Sequence, residues 1–267
     1  MLSGTLKARL ATQLRQLFPK LWMERELRFR PYHFEAELWL VPIFCDKQKT
    51  AIDIGANRGS YSYFMAKLSS NVIAFEPNTD LWKDLRRLLG RDFHLEAAAL
   101  SDKSAKTTLR VDYSNTGVAT IEEKNQLVCV KDPMAVVQRV VETRTLDSFE
   151  FSNISMIKID VEGHEEAVVS GARDTIERNR PVLIVESEDR HNPGAPRRLA
   201  ETFSELRYRV FYLKGRRLME FTTLRDEDTN PENLDRGLPY INNFILIPSE
   251  QDEKVERIQA FLSRSDR

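Results

Sequence analysis

The run Asp53-Ile-Gly55-Ala-Asn57-Arg-Gly59 places a carboxylate two residues ahead of the first of two glycines. Glycine lets a backbone turn sharply and approach a ligand with no Cβ in the way. Where such a loop opens a helix, the free N–H groups of the first turn face whatever is bound there. Two cofactor classes use this geometry. A dinucleotide pyrophosphate asks for G-x-G-x-x-G. Here the third position is Asn57 and the sixth is Ser60, so that fingerprint fails twice. Asp53 would repel a pyrophosphate but attract the ammonium and sulfonium charges of S-adenosylmethionine. The sign of the charge therefore favours the methyl donor. Glu76 closes a second apolar run in Ala74-Phe-Glu-Pro77, about 20 residues past the loop, where an acid can accept both ribose hydroxyls.

A second constellation is Lys158-Ile-Asp160-Val-Glu162-Gly-His164-Glu-Glu166, which follows an apolar run and leads into a helical segment. Methyl transfer to oxygen needs an acceptor hydroxyl that is partly deprotonated and held in line. His164 is the candidate base, and Asp160 or Glu162 would orient acceptor or cofactor. A plainer reading has the acids favouring a helix N-terminus and His164 facing solvent. Carboxylate and imidazole sets also bind divalent ions. The spacing of these three is not a ligand motif, and no metal is expected.

These loops must be held by a sheet. Thr50–Ile54, Asn71–Phe75 and Phe93–Leu100 read as strands, separated by helices near 60–68 and 79–89. That β-α-β-α-β rhythm with short linkers implies an α/β fold with a doubly wound, Rossmann-like, mostly parallel sheet covered on both faces. Strands are also expected at 107–111, 140–145, 154–159, 181–186, 208–213 and 243–247. Helices are expected at 165–179, with Gly171 inside, at 197–206 and at 251–262. The stretch around Asn115-Thr-Gly117 reads as a loop or hairpin excursion. The organisation expected is an amino-terminal helical extension (1–48), a core domain (49–248) and a carboxy-terminal helix (249–267). Polar, turn-rich 214–240 is expected to be a lid loop.

In the extension, Leu2, Leu6, Leu10, Leu14, Leu17, Phe18 and Leu21 recur at helical spacing among Lys7, Arg9, Arg15, Lys20, Arg25 and Arg28. This predicts a basic amphipathic helix ending near Pro19. Its stripe would pack on the core or on a second subunit in a homo-oligomer, or bind a membrane surface or an acidic partner. The 267 residues carry a net charge of −1, which excludes a whole-protein basic field for nucleic acid. Cys45 and Cys129 have no metal-ligand spacing. No secretory signal and no spanning apolar stretch is visible, so a cytoplasmic location is expected.

The chain resembles the FkbM-type family of class I S-adenosylmethionine-dependent methyltransferases. The resemblance rests on Ala51 to Gly59, Val72 to Pro77, Ala99 to Asp102, Thr145-Leu-Asp147, and Ile157 to Glu165 with Gly171-Ala172. It covers roughly residues 49–248, and the run after Thr145-Leu-Asp147 is its most specific part. It implies O-methylation of a sugar or polyketide hydroxyl, that is, a small-molecule or carbohydrate acceptor. Asp53, Gly55, Asn57 and Gly59 would hold the methionine part and Glu76 the ribose. Leu100, Ser101 and Asp102 would lie near the adenine, and Asp160 near the methyl donor. Two rival readings stand beside this one: a nicotinamide-dependent dehydrogenase, and a non-catalytic cofactor-binding scaffold.

Overall fold

The computed structural model describes residues 17–31, 34–91, 93–113, 118–123, 125 and 133–264. The helix expected over the first residues, the Asn115–Gly117 excursion and Cys129 lie outside them. Leu17 is helical, the helix breaks at Phe18, and a new one begins at Pro19. Pro19–Phe29 (α1) carries its proline at the helix start, where a missing N–H costs nothing.

The sheet is built from alternating apolar faces. The chain continues through Val41–Phe44 (α2), Thr50–Ile54 (β1), Ser60–Leu68 (α3), Asn71–Phe75 (β2) and Trp82–Leu89 (α4). Ile52, Ile54, Ile73 and Phe75 point to one face, and Ala51 and Val72 to the other. Both faces are covered, which is why these strands read as unbroken apolar runs.

The single strand expected over 93–100 splits in two. His94–Glu96 (β3) pairs with β2, and Ala99–Leu100 (β4) leaves for a second, small sheet. That sheet also contains Ala105–Asp112 (β5), Ala119–Thr120 (β6) and Val136–Arg144 (β7), in the order β4-β7-β5-β6.

The main sheet resumes at Ile154–Ile159 (β8). The one helix expected over 165–179 is two, Glu165–Ser170 (α5) and Arg173–Asn179 (α6). Each side of the break is held by a contact from elsewhere in the chain. A Cβ on Gly171 would stand 2.0 Å from the Ser101 carbonyl oxygen. Asp147 accepts from the backbone N–H groups of Asp174 and Thr175, so its carboxylate caps α6.

Val182–Glu186 (β9), Ala195–Glu205 (α7) and Tyr208–Lys214 (β10) follow. The stretch 214–240, expected as a lid loop, holds an edge strand, Arg217–Glu220 (β11), hairpinned onto β10, and a short helix, Glu232–Arg236 (α8). Asp228 within it is buried and takes the Lys214 ammonium at 2.7 Å. Asn243–Pro248 (β12) and Asp252–Arg264 (α9) close the fold.

The main sheet has the order β11-β10-β12-β9-β8-β1-β2-β3. The run from β9 to β3 is parallel, and β12 runs antiparallel to both its neighbours. Chain direction across the sheet reverses between β1 and β8. That switch point is where ligands bind in open α/β sheets, outside the carboxyl ends of the strands. Residues 38–44 and α9 cover one face, through Leu38, Leu40, Phe44 and Ile258. Helices α5 to α7 cover the other, through Val168, Ile176, Leu199 and Phe203.

Candidate active site

The β1–α3 loop sits on the switch point. Gly55, at φ +79°, lies so close to the end of β8 that a Cβ would come within 1.8 Å of the Asp160 carbonyl oxygen. Asn57 is also left-handed, at φ +48°, and Gly59, at φ +81°, is the residue from which α3 starts. The amides of Gly55 and Ala56 both donate to the Phe75 carbonyl oxygen at 3.0 Å, which ties the loop to β2.

Glu76 stands at the end of β2, 5% exposed. Its Oε2 accepts from the Asn57 amide at 2.7 Å and its Oε1 from the Asn78 amide at 2.8 Å. Burial pushes its pKa up to about 7, against the pull of these two amides. Each carboxylate oxygen has a second lone pair, and the group lines a cleft of ≈ 630 Å³. Gly55, Asn57, Leu100, Asp160, Glu162 and His164 line the same cleft, with Ala98, Leu109 and Ile121 giving it apolar walls. Ser101 and Asp102 do not line it. The Ser101 hydroxyl is buried against His164, and Asp102 is exposed.

A second cleft, of ≈ 690 Å³, opens on the other side of the glycine loop. It shares Gly55, Asn57 and Asp160 with the first and adds Phe34, Glu35, Asp53, Tyr61 and Lys158. Asp53 lies in its floor and accepts from the Ser62 hydroxyl. Burial pushes Asp53 up to about 6, while the Ser62 hydroxyl and the Lys158 charge oppose the rise.

Lys158 is the charged centre of this region, and spacing alone did not single it out. Its side chain is 1% exposed. Nζ donates to Asn243 Oδ1 at 3.2 Å and lies 3.7 Å from Asp160 Oδ2 and 3.8 Å from Glu35 Oε2. Burial alone would lower the lysine pKa. The charges of Glu35, Asp160, Glu186 and Asp53 outweigh that and hold the ammonium protonated. Oxygens of Glu35, Asp160 and Glu186 lie within 4.8 Å of one another, and the Lys158 ammonium pairs with two of these acids. The warning sign in the sequence was a lysine inside the apolar strand Ile154-Ser-Met-Ile-Lys-Ile159.

Asp160, Glu162 and His164 do not converge on one point. Glu162, at φ +55°, turns its Oε2 to His191 Nε2 at 3.3 Å. His164 bonds through Nε2 to Ser101 Oγ at 2.9 Å and through Nδ1 to Glu122 Oε2 at 3.1 Å. Both ring nitrogens are thus held by the protein. Asp160 alone of the three lines both clefts. The sequence reading missed Glu35, Tyr61, Glu122, Glu186 and His191. Of these, Glu186 had a signal, an acid closing a central strand as Glu76 does.

The buried acids make a prediction about pH. Burial, with Asp160 and Glu188 adding to it, pushes Glu162 up to about 8 from an ordinary 4.5. Glu37, Glu76 and Glu165 are pushed up to about 7. An acid whose pKa is raised on folding stabilises the fold below its unfolded value. That stability is lost as pH rises through the folded value. His191, which burial lowers from 6.5, works in the opposite sense, and the lowered carboxyls of Glu188, Glu250, Asp80 and Asp228 add stability only up to about their ordinary values, below most of this window. Calorimetric scans of the ligand-free chain should therefore show Tm falling between 4.5 and about 8. Glu162→Gln should flatten the upper part of that fall. A Tm that rises steadily across the window would refute the buried-acid assignment.

The sequence profile described as the methyltransferase FkbM domain matches residues 53–211, more than half of the chain. No curated protein sequence matches. Among solved structures, a methyltransferase FkbM from Methylobacillus flagellatus is similar at 14% identity and a TM-score of 0.49, over 83% of this chain. The similarity spans 47% of that protein, about half its length. An O-methyltransferase from Bacillus cereus, solved in complex with SAH, is similar at 16% identity and a TM-score of 0.40, over 89% of this chain and 96% of that one. An rRNA methylase from Streptococcus thermophilus is similar at 14% identity and a TM-score of 0.41, over 81% and 94%.

Proposed function

We propose that this chain, which belongs to the methyltransferase FkbM domain family, transfers a methyl group from S-adenosylmethionine to a hydroxyl oxygen of a sugar or polyketide-type acceptor. The observation that carries the reading is the pair of clefts meeting at Gly55 and Asp160, with a buried acid at the end of β2. The residues present fit the cofactor. Gly55 lets the loop pack directly on the end of β8 and lines both clefts, Glu76 offers lone pairs to two vicinal hydroxyls, and Asp160 and Asp53 supply negative charge for a sulfonium and an ammonium. When bound, the cofactor supplies an electrophilic methyl group.

The chain's own part is binding, orientation and one proton transfer. The cleft of Glu76 and Leu100 takes the adenosine portion, and the cleft of Glu35, Tyr61 and Asp160 takes the acceptor. Gly55 and Asp160, which line both clefts, would hold the acceptor oxygen facing the methyl group that the bound cofactor would supply. The acceptor proton leaves to a carboxylate at the junction, and Asp160 is the one placed there. His164, in the wall of the first cleft, is held from behind by Ser101 and Glu122 and acts by positioning. It would have to give up Ser101 before taking a proton through Nε2.

The test is transfer of a labelled methyl group to a panel of sugars and hydroxylated polyketides, with the product bond identified. An alkali-stable ether is the expected product. Asp160→Asn should lower turnover by about 10²–10⁴-fold, with a smaller loss for His164→Ala. Label recovered only on nitrogen or carboxylate would sink the oxygen assignment. A larger loss for His164→Ala than for Asp160→Asn would reverse the two roles.

A further inference from the structure

Helix α1 carries an exposed face among the described residues. Its inner side is tied down, since Tyr63 donates to Glu24 at 2.8 Å, Lys67 lies 3.6 Å from Glu24, and Glu26 is buried. Its outer side holds Leu21 and Phe29, 66% and 67% exposed, with Leu17 and Phe18 exposed just ahead of it. Leu21, Arg25, Arg28 and Phe29 are spaced i, i+4, i+7 and i+8, so they share one face. The guanidinium of Arg25 sits 5.2 Å from the Trp22 ring and that of Arg28 5.6 Å from the Phe29 ring. Lys20 and Arg28 have no ion pair among the described residues.

We propose that α1 docks this protein on an anionic phospholipid surface, lying in the plane of the interface. Exposed aromatic and aliphatic side chains interleaved with arginine and lysine are what an interfacial helix presents: apolar groups enter the acyl boundary and basic groups meet phosphate. Charge selects the occupant. The first 30 residues carry seven basic and two acidic side chains, while the whole chain is net −1, so the positive field is confined to this end. In a two-fold dimer the same patch must face itself, which would set one basic face against another. A bilayer rich in acidic lipid has the opposite sign. No helix among the described residues is long and apolar enough to cross a membrane, so the contact is with the surface.

The test uses the full chain and flotation with vesicles of phosphatidylcholine alone or mixed with phosphatidylglycerol. The chain should float with the mixed vesicles, stay behind with phosphatidylcholine, and be released by salt. Leu21→Ser with Phe29→Ser, and separately Lys20→Gln with Arg28→Gln, should each lower the partition by about tenfold. These side chains are exposed and outside both clefts, so S-adenosylhomocysteine affinity serves as the check that the variants fold. The proposal is overturned by absence of binding to the mixed vesicles, by equal binding to both vesicle types, or by variants that bind like the parent. It is equally overturned if the chain elutes as a dimer that the Leu21 and Phe29 substitutions dissociate, because a second copy then covers the face.

Discussion

Gly55→Ala should leave the chain unable to form an ordered cofactor site and cost on the order of 2–5 kcal/mol of stability. Two effects add. The residue sits at φ +79°, where a side chain is strained, and its Cβ would be 1.8 Å from the Asp160 carbonyl oxygen. Both sides of that clash are backbone, so no rotamer change relieves it. Either the glycine loop lifts away from β8 or the end of β8 moves, and each displaces Asp160 from the junction of the clefts. Gly215→Ala is the control. It has φ +60° with nothing within 4 Å, so it carries the backbone strain without the overlap. Denaturant unfolding of the two variants separates the terms. Equal losses at both positions would mean that the close approach of loop and strand is absent.

Glu76→Ala should weaken S-adenosylhomocysteine binding by roughly 30–150-fold, about 2–3 kcal/mol. The upper part of the usual range for an unpaired buried group applies because three things are lost together. The ribose hydroxyls lose their acceptor, and the amides of Asn57 and Asn78 lose the oxygens they donate to. Asn57 lies inside the glycine loop, so the substitution loosens the loop as well as removing a ligand contact. Glu76→Gln keeps the shape but turns an NH₂ toward a backbone N–H, so it should fall near the alanine variant. Titration calorimetry of the two variants measures this. Unchanged affinity in both would remove Glu76 from the site.

Much of this frame is legible in the residues, and the limits of legibility have physical causes. Strands β1, β2 and β8 and the helix after the glycine loop fall where period and turn chemistry put them. Their strands are covered on both faces, and their ends are marked by glycine, proline or an acid. The split of 93–100 was hidden, because the choice between the two sheets is made by β2 and β7 rather than by the strand itself. The broken helix at Gly171 was hidden for a similar reason. The close approach that requires glycine there is to the Ser101 carbonyl, far along the chain. Asp147 lies in a motif used for recognition, yet its carboxylate caps α6, a role that needs the folded partner.

The site divides in the same way. Gly55, Asn57, Glu76, Leu100, Asp160, Glu162 and His164 meet in one cleft, while Asp53 lies in the next and Asp102 on the surface. Glu35 reaches Lys158 across more than a hundred residues, and nothing in its own surroundings marks it. The stretch 214–240 looked like a lid because its side chains are polar. It is pinned instead by a hairpin and by the ion pair of Lys214 with the buried Asp228.

Methyl-donor binding is the claim on which the rest depends, and calorimetric titration of the purified chain with S-adenosylhomocysteine and with NAD tests it most directly. The charge of Asp53 and Asp160 and the failed pyrophosphate fingerprint at Asn57 and Ser60 predict saturable one-to-one binding of S-adenosylhomocysteine and no heat with NAD. Saturable binding of NAD with none of S-adenosylhomocysteine would contradict the account.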